Sequence, residues 1–361
     1  MVLRLAGFLV SGLCFLVGLG ANQKPETSNQ KPAATSPATA ESPFVSHPDS
    51  PLEWWYWTGH LSDSKGRAYG FQVTFFRLRD FHLAHFAWSD LAAKRFTFDE
   101  KAHLGLPGIA GASEERLDVF NEDWRAVQGQ GQGAGTVLLE VRGEPGTLRL
   151  TLTSAKPLVS HGEGGISRKG PGPDDFSHYV SQTRLTASGT LKRSGEREEP
   201  LTGTAWFDHE WGPGGLPAGV AGWDWFALQL ADGSELMLYR MRMRNGDASP
   251  FSAGTWVPAG GAARPVPWKD VTIAPKSTWT SPRSRATYPA TWSVAVRSIG
   301  LDVTVTPLLA DQELATAKST GVTYWEGACA VAGTRDGRPV GGRAYVEMTG
   351  YAGRDVPGLA P

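Results

Sequence analysis

Apolar and polar residues alternate along this chain in short runs that end at Gly, Asp or Pro. Alternation with a period of two is typical of a half-buried β-strand, and turn residues at the ends of such runs favour antiparallel connections. Few stretches show helical spacing, so the pattern predicts an all-β chain. The predicted strands are 53–61, 68–77, 82–89, 136–141, 147–153, 182–191, 201–208, 223–230, 235–243, 290–296, 301–307 and 341–351.

Two distant stretches, 53–63 and 222–232, resemble each other. Each places an aromatic cluster before a leucine, then a turn with Asp and Gly, then an apolar run that ends in Arg. The matched positions are Trp54 with Trp223, Trp57 with Phe226, Leu61 with Leu230 and Asp63 with Asp232. Self-similarity at this distance indicates two copies of one strand-turn-strand unit. With this number of strands, two antiparallel up-and-down barrels are predicted.

The ends of the chain predict an exported protein. The apolar run 5–19 follows Arg4, which is typical of a signal peptide over residues 1–20, and the run is too short to span a membrane comfortably. Residues 21–46 are rich in Pro, Ser and Thr, which favours a disordered tether with order beginning near His47. We therefore expect a periplasmic or extracellular location. Leu13 before Cys14 fits a lipid-modification site poorly, so a lipoprotein is not favoured.

Composition limits the classes of partner and cofactor. The 361 residues suffice for two domains, predicted at 47–214 and 215–361, with the Gly- and Pro-rich stretch 212–219 at the boundary. A net charge of -1 gives no reason to expect nucleic acid or an anionic membrane surface as a partner. Removal of the signal would leave Cys329 alone, so neither disulfides nor a Cys-based metal site is predicted. Cys329 is interpreted as a small apolar strand residue.

The first cluster of candidate chemical groups is the sequence Trp206 to Gly212. In an extended strand Asp208 and Glu210 share one face, while His209 and Trp211 share the other. A histidine between two carboxylates could carry a proton or orient another acid. The alternative is a structural network that braces the junction of the domains.

The second candidate is Asp224, which replaces the Trp55 of the first repeat. Strand alternation places Asp224 on one face with Phe226 and Leu228. Desolvation on such a face would raise its pKa and keep the carboxyl protonated, which suits an acid. The alternative is an Asp that pairs with an arginine or caps a bulge, because a nearby cation would lower the pKa and remove the acid role.

Aromatic clusters supply the third and fourth candidates. Tyr56 and Trp57 follow Glu53 in a run of rings that could line a pocket for an apolar ligand or stabilise a cation, although ordinary aromatic core is the alternative. Tyr324 and Glu326 form another aromatic and carboxylate pair. The sequence contains no Gly-x-Ser-x-Gly elbow, phosphate loop or dinucleotide fingerprint. We predict no metal and no organic cofactor.

Several long motifs resemble the bacterial carotenoid 1,2-hydratase family. They are EWWYWTGHL from residue 53, YGFQVTFFR from residue 69, TGTAWFDHEWG from residue 202, GWDWFALQLADGSELMLYRMR from residue 222, YWEGACAVAG from residue 324 and GGRAYVEMTGY from residue 341. The resemblance extends from about residue 47 to the C-terminus. It implies two lipocalin-like β-barrel domains packed together, with a long apolar cavity near their junction.

The resemblance also implies a reaction. In the hydratases an acidic Asp protonates a terminal carbon–carbon double bond, and water captures the carbocation to give a tertiary alcohol. His209 and Trp211 match a His-x-Trp pair of the family, and Asp224 matches its acid, although Gly222 stands where an aromatic residue is expected. The predicted catalytic residues are Asp224, His209 and Asp208. The predicted ligand-binding residues are Trp211, Trp223, Tyr56, Trp57, Glu210, Tyr324 and Glu326.

Three functions compete at this point. The first is acid-catalysed hydration of a hydrophobic small molecule such as a polyene or isoprenoid. The second is a non-catalytic carrier of a lipid or pigment associated with the cell envelope, which would have no need of Asp224. The third is a secreted hydrolase, which is disfavoured because the sequence shows no nucleophile with an oxyanion-binding arrangement.

Overall fold

A computed structural model describes residues 43–129 and 135–353, so the predicted signal peptide and residues 21–42 of the predicted tether lie outside the described residues. The described residues form one compact unit that contains two large antiparallel sheets. The only helical turns in the described ranges are the 3-10 turns Trp268–Asp270 and Arg297–Ile299. None of the described helices has the length and apolar character needed to cross a membrane. The all-β prediction is confirmed.

The first sheet, sheet A, comes from the first half of the described chain. Its strands are β1 (Leu52–Asp63), β2 (Ala68–Leu78), β3 (Phe81–Asp90), β4 (Arg95–Leu104), β5 (Ala110–Ala112), β6 (Asp118–Asn121), β7 (Trp124–Gln128), β8 (Thr136–Gly143), β9 (Gly146–Ser154), β10 (Val159–Ser160), β11 (Ile166–Arg168), β12 (Phe176–Lys192) and β13 (Glu199–Gly212). The order is β4-β3-β2-β1-β13-β12-β9-β8-β7-β6-β5, with β10 and β11 beside β12.

The second sheet, sheet B, follows it. Its strands are β14 (Val220–Leu230), β15 (Glu235–Met243), β16 (Ala253–Val257), β17 (Arg264–Val266), β18 (Val271–Thr280), β19 (Thr287–Val296), β20 (Leu301–Pro307), β21 (Glu313–Ala315), β22 (Thr323–Arg335) and β23 (Arg338–Met348). The order is β17-β16-β15-β14-β23-β22-β20-β19-β18, with β21 beside β22.

Each sheet curls around its own apolar core, which makes two lipocalin-like antiparallel barrels. Large side chains such as Trp57, Phe71 and Trp124 fill the barrel of sheet A. Phe226 and Trp292 are among those that fill the barrel of sheet B. Rings of this size bury 150–250 Å² each and dominate the energetics of such cores.

The repeat of the sequence is a repeat of the fold. β1 forms a hairpin with β2 and pairs antiparallel with β13, the last strand of sheet A. β14 forms the corresponding hairpin with β15 and pairs with β23, the last strand described in sheet B. The similar stretches are therefore the first strands of the two sheets, each paired with both its hairpin partner and the last strand described in that sheet.

A third apolar cluster lies between the sheets, and we call it the interface layer. It contains rings from both sheets, and its fully or partly buried members include Tyr56, Tyr179, Trp206, Trp223, Trp225, Tyr239, Ala328 and Tyr345. Gly70 allows the sheets to approach closely, since a Cβ built on it would lie 2.7 Å from the Cβ of Ala328. Arg184 and Lys156 of the first half also reach Glu235 of the second, with N–O distances of 2.5 and 2.6 Å.

Candidate functional site

Strand β13 sorts the predicted residues onto two faces. Its register with β1 is unbroken from Leu201 to Gly212, so side chains alternate regularly along it. Phe207 packs in the barrel core, which places His209 on the barrel side. Trp206 packs in the interface layer, which places Asp208 and Glu210 there. The alternation expected from the sequence is present, and it separates two of the predicted catalytic residues.

Asp208 is a buried carboxyl at the centre of the interface layer, with 3% of its surface exposed. Tyr179 Oη donates to Oδ2 at 2.7 Å, and Trp206 Nε1 donates to Oδ1 at 2.6 Å. Ser181 also donates to Oδ1. Burial raises the pKa of Asp208 to about 7 and outweighs these hydrogen bonds, which act in the opposite direction. A carboxyl with this pKa can both give and take a proton near neutral pH.

A polar chain extends from Asp208 into sheet B. Ser181 Oγ, which donates to Asp208, lies 2.7 Å from His161 Nε2. His161 Nδ1 lies 2.8 Å from Thr255 Oγ1. Burial lowers the pKa of His161 to about 3, with help from the charge of Lys169, so its ring is neutral. The chain orients Asp208 without adding charge beside it.

Glu210 is held next to Asp208 by an ion pair. Lys169 Nζ lies 2.9 Å from Glu210 Oε1 and 4.1 Å from the ring centroid of Tyr239. Burial acts to lower the pKa of Lys169. The charge of Glu210 is the largest of the effects that raise this pKa, and together they outweigh burial, so the pKa lies above its usual value. Lys169 therefore stays cationic beside the aromatic rings of the layer.

Two further carboxyls enter the layer from sheet B. Glu326 is fully buried and accepts a hydrogen bond of 2.5 Å from Tyr56 Oη, and Tyr56 is the cross-strand neighbour of Asp208. Glu347 lies directly opposite Glu326 on β23 and accepts from Trp223 Nε1 at 3.1 Å. Burial raises the pKa of Glu347 to about 7 and that of Glu326 well above its ordinary range.

Asp224 lies elsewhere, inside the barrel of sheet B. It is 2% exposed and shares a strand face with Phe226 and Leu228, as expected from the sequence. Its Oδ1 accepts from Arg242 Nε at 3.0 Å and from Tyr351 Oη at 2.9 Å. Burial raises the pKa of Asp224, and the Arg242 guanidinium opposes that rise. This arrangement matches the alternative in which Asp224 pairs with an arginine. The ion pair makes Asp224 less suited to act as a free acid.

The backbone around Gly222 leaves no room for the aromatic side chain that the resemblance predicts there. A Cβ built on it would lie 2.4 Å from the carbonyl oxygen of Thr349. An aromatic side chain cannot fit at this position unless the backbone moves.

His209 belongs to a network at one end of the barrel of sheet A. Its Nε2 lies 2.9 Å from Glu53 Oε1, and its Nδ1 lies 2.8 Å from the carbonyl oxygen of Pro43. Glu53 also contacts His47 Nδ1 at 2.9 Å and Arg77 Nη2 at 2.9 Å. Burial acts to raise the pKa of Glu53. The hydrogen bonds from His209 and His47 act in the opposite direction and hold this pKa well below its usual value.

This network fastens the start of the described chain. Trp55 Nε1 donates to the carbonyl oxygen of Phe44 at 3.1 Å, and Val45 is buried. Buried side chains of β1 and β13 thus bind the backbone of residues 43–44, which belong to the stretch that the sequence assigned to the tether.

Among the described residues, the three side chains that could together hold a metal ion belong to this network. Ligand atoms of His47, Glu53 and His209 all lie within 4.8 Å of one another. Arg77 lies against the same carboxylate, with its Nη2 2.9 Å from Glu53 Oε2. A metal ion there would therefore have to compete with a guanidinium and leave a buried positive charge beside it.

The remaining predicted residues divide between the two regions. Trp57 is in the barrel core of sheet A. Trp211 stacks on His47 with ring centroids 3.9 Å apart. Trp223 and Tyr324 face the other sheet, since Trp223 packs in the interface layer and Tyr324 Oη lies 2.8 Å from His85 Nδ1. Tyr324 packs in a separate small cluster with Ala87 of sheet A. The interface layer thus unites Asp208, Glu210, Tyr56, Trp223 and Glu326, but not Tyr324, Asp224, His209, Trp211 or Trp57.

Several residues of the layer were missed from the sequence. Glu347 is a lone carboxylate in an alternating run where it shares a face with Tyr345, and that alternation could have revealed it. Tyr179 lies outside the predicted strands, and Trp225 was placed on the strand face opposite Asp224 without a role in the site. Lys169 and His161 lie between the predicted strands 147–153 and 182–191, in a stretch for which the sequence predicts no strand. They reach the layer through tertiary contacts that leave no local signal.

One cavity adjoins the layer and is small, about 220 Å³ including space open to solvent. Its walls are formed by Thr58, Gly59, His60, Trp206, Ala227, Gln229, Arg343, Ala344 and Tyr345. Rings occupy much of the space where the resemblance implied a long apolar cavity. A long ligand would therefore require these side chains to move.

Comparisons with known proteins agree with this architecture. The AttH-like family profile matches residues 33–351. The crystal structure of a putative AttH from Nitrosomonas europaea is 36% identical with a TM-score of 0.79, covering 88% of this chain and 98% of that one. Kievitone hydratase from Nectria haematococca is 19% identical with a TM-score of 0.69, covering 90% and 97%. A search of curated proteins found no match to this sequence.

Proposed function

Because this chain belongs to the AttH-like family, and because its interface layer holds buried carboxyls with raised pKa values, we propose that the layer is a hydratase-type active site. The reaction is addition of water across a carbon–carbon double bond of a hydrophobic small molecule. Polyenes and other isoprenoids are the substrate class that the motif resemblance suggests. The chain shares its fold with kievitone hydratase, which supports a hydratase on this scaffold.

Asp208 carries the proposal, since it is buried among rings and has a pKa of about 7. In the first step the Asp208 carboxyl transfers its proton to one alkene carbon, leaving a carbocation at the other. Water then bonds to the cation and returns a proton to the Asp208 carboxylate, which completes the cycle. Trp206, Trp225 and Tyr56 pack in the same layer, and aromatic rings there would stabilise a passing cation.

We assign the role of the acid to Asp208 in place of Asp224. Asp224 lies inside the other barrel beside Arg242, whereas Asp208 lies between the barrels. His209, on the barrel face of β13, becomes a positioning residue that holds the strand through Glu53.

The decisive experiment compares Asp208→Asn with Asp224→Asn. Purified protein is incubated with isoprenoid alkenes in oxygen-18 water, and mass spectrometry measures the label in the product. We expect Asp208→Asn to lower turnover by about 100-fold or more, as is usual for loss of a general acid. Because the acid must be protonated, wild-type turnover should fall as the pH rises through about 7.

The outcomes separate the competing functions. Full turnover by Asp208→Asn, together with loss of turnover in a folded Asp224→Asn, would return the acid role to Asp224. Ligand binding without labelled product in the wild type would favour a carrier. Release of two fragments from an ester, in place of a hydrated product, would favour a hydrolase.

A further inference from the structure

Three side-chain oxygens on the sheet faces that meet in the interface layer have no hydrogen-bond partner among the described residues. They are Thr58 Oγ1, Gln72 Oε1 and Glu326 Oε2. Thr58, Gln72 and Glu326 are each 0% exposed. Buried polar atoms are nearly always paired, and an unpaired one is destabilising unless something else binds it. Three unpaired oxygens on the facing surfaces of the two sheets indicate a site that binds a polar group.

Two of the three oxygens are neighbours on sheet A. Thr58 of β1 lies directly opposite Gln72 of β2. Trp57, Phe71 and Val73 point into the barrel core, so strand alternation directs Thr58 and Gln72 to the face that meets sheet B.

Two contacts fix the position of β22 across β2. Gly70 lies against Ala328, where a built Cβ would be 2.7 Å from the Ala328 Cβ. Further along, His85 is the cross-strand neighbour of Thr74, and its Nδ1 lies 2.8 Å from Tyr324 Oη. We infer that the residues midway between these contacts, one on each strand, face each other across the layer.

The midway residues are Gln72 and Glu326. Glu326 Oε1 is taken by the hydroxyl of Tyr56 at 2.5 Å, which leaves Oε2 for the proton of the neutral acid. Burial and the charge of Glu347 raise the pKa of Glu326, which keeps it neutral. Gln72 donates its amide to Thr74, so its carbonyl oxygen remains an acceptor. The site therefore offers one donor, one acceptor and the hydroxyl of Thr58.

We propose that Thr58, Gln72 and Glu326 form a polar subsite that binds an alcohol hydroxyl of an otherwise apolar ligand. A hydroxyl both accepts and donates, so it can satisfy Glu326 and Gln72 together. Trp206, Ala227 and Tyr345 line the cavity beside Thr58 and contact the carbon chain. The subsite deepens the proposed function and rests on the ligand lying in the same layer. It selects an oxygenated isoprenoid over the corresponding hydrocarbon.

Binding of two matched probes tests the subsite in the full chain. Farnesol and farnesene share one isoprenoid skeleton, and only farnesol carries a hydroxyl. Tryptophan fluorescence and calorimetry measure both affinities. We expect wild-type protein to bind farnesol at least about tenfold more tightly, because a site built for a hydroxyl rejects an analogue that lacks it.

Thr58→Val removes one oxygen while keeping the shape of the side chain. We expect it to reduce the preference for farnesol by about threefold or more. Thr97→Val makes the same change at another buried, unpaired hydroxyl. Thr97 lies on β4 between Phe96 and Phe98, which pack toward sheet B, so its side chain faces the other way. Thr97→Val should keep the wild-type preference.

Equal affinity for the two probes, or no binding of either, would overturn the subsite. So would a crystal structure in which ordered waters satisfy all three oxygens both with and without farnesol. Asp208→Asn should retain the preference even if it abolishes hydration. A protein that prefers farnesol but never hydrates an alkene would therefore contradict the proposed reaction while supporting the subsite.

Discussion

Two buried aspartates in this chain have different partners. Asp208 accepts hydrogen bonds from neutral groups, and burial dominates its pKa. Asp224 contacts a guanidinium, whose charge favours the ionised form. Burial favours the protonated form of a carboxyl and raises the pKa of both aspartates, and a neighbouring cation opposes that rise at Asp224. The partner of each aspartate therefore decides which of the two suits acid chemistry.

Removal of Arg242 tests the role of the Asp224 pair in stability. Arg242→Met leaves a buried carboxyl without its cation, so we expect a loss of roughly 3–5 kcal/mol in the free energy of unfolding. Urea denaturation measures this loss. Arg240→Met on the same strand removes an exposed hydrogen bond to Gly246 and should cost about 1 kcal/mol or less. Equal losses in the two variants would contradict a structural role for the pair.

The sequence predicted which faces of β13 the polar residues occupy, but not which face forms the site. Asp208 and His209 are adjacent, and adjacent residues of a strand point to opposite sides. Alternation alone therefore excluded a site containing both side chains. The partners of Asp208 and Asp224 could not be predicted, because Tyr179 and Arg242 reach them through pairings between strands.

At the scale of elements, strand bounds followed from alternation where the pattern was strong. The predicted runs 235–243 and 301–307 coincide with β15 and β20. The long strand β22 was missed, because Gly327 to Ala330 are small residues with little strand preference. Pairing with β20 and β23 on either side makes this segment a strand.

Close approach of β2 and β22 depends on Gly70. We expect Gly70→Ala to destabilise the protein by about 1–3 kcal/mol, because the added methyl overlaps that of Ala328. Ala328→Gly in the same chain should restore much of the loss. Thermal unfolding of the four proteins of this double-mutant cycle gives the coupling energy.

Gly59 provides the matched comparison for that cycle. A Cβ on Gly59 would lie 2.5 Å from the backbone oxygen of Thr204, which no side-chain truncation can relieve. Gly59→Ala should therefore remain destabilising when combined with Ala328→Gly. Rescue of both glycine variants to the same extent would contradict a specific contact between Gly70 and Ala328.

At the scale of the whole molecule, the buried carboxyls make stability depend on pH. The folded protein keeps a proton on Glu326 where the unfolded chain, with an ordinary pKa near 4.5, has lost it. Rising pH therefore favours unfolding until the folded-state pKa is passed. Above pH 7 the histidines with lowered pKa values are neutral in both states and add nothing to this slope; they are His60, His82, His85, His161, His178 and His209.

Glu326→Gln isolates this contribution. We expect the wild-type melting temperature to fall between about pH 7 and pH 9, and the fall to be smaller in Glu326→Gln. Calorimetry at several pH values in this interval measures both slopes. If the wild type and the variant lose stability in parallel, Glu326 is not the protonated group.

The pairing of the first strand of each sheet with its last described strand has a consequence for biosynthesis. β1 pairs with β13, and its partner residues from Leu52 to Asp63 meet residues from Gly212 to Leu201. Pairings this distant in sequence raise the contact order and slow folding. A nascent chain on the ribosome keeps the Trp-rich edge of β1 unsatisfied on one side until β13 emerges. Cells that make this protein must therefore protect that edge from self-association throughout synthesis of the first barrel.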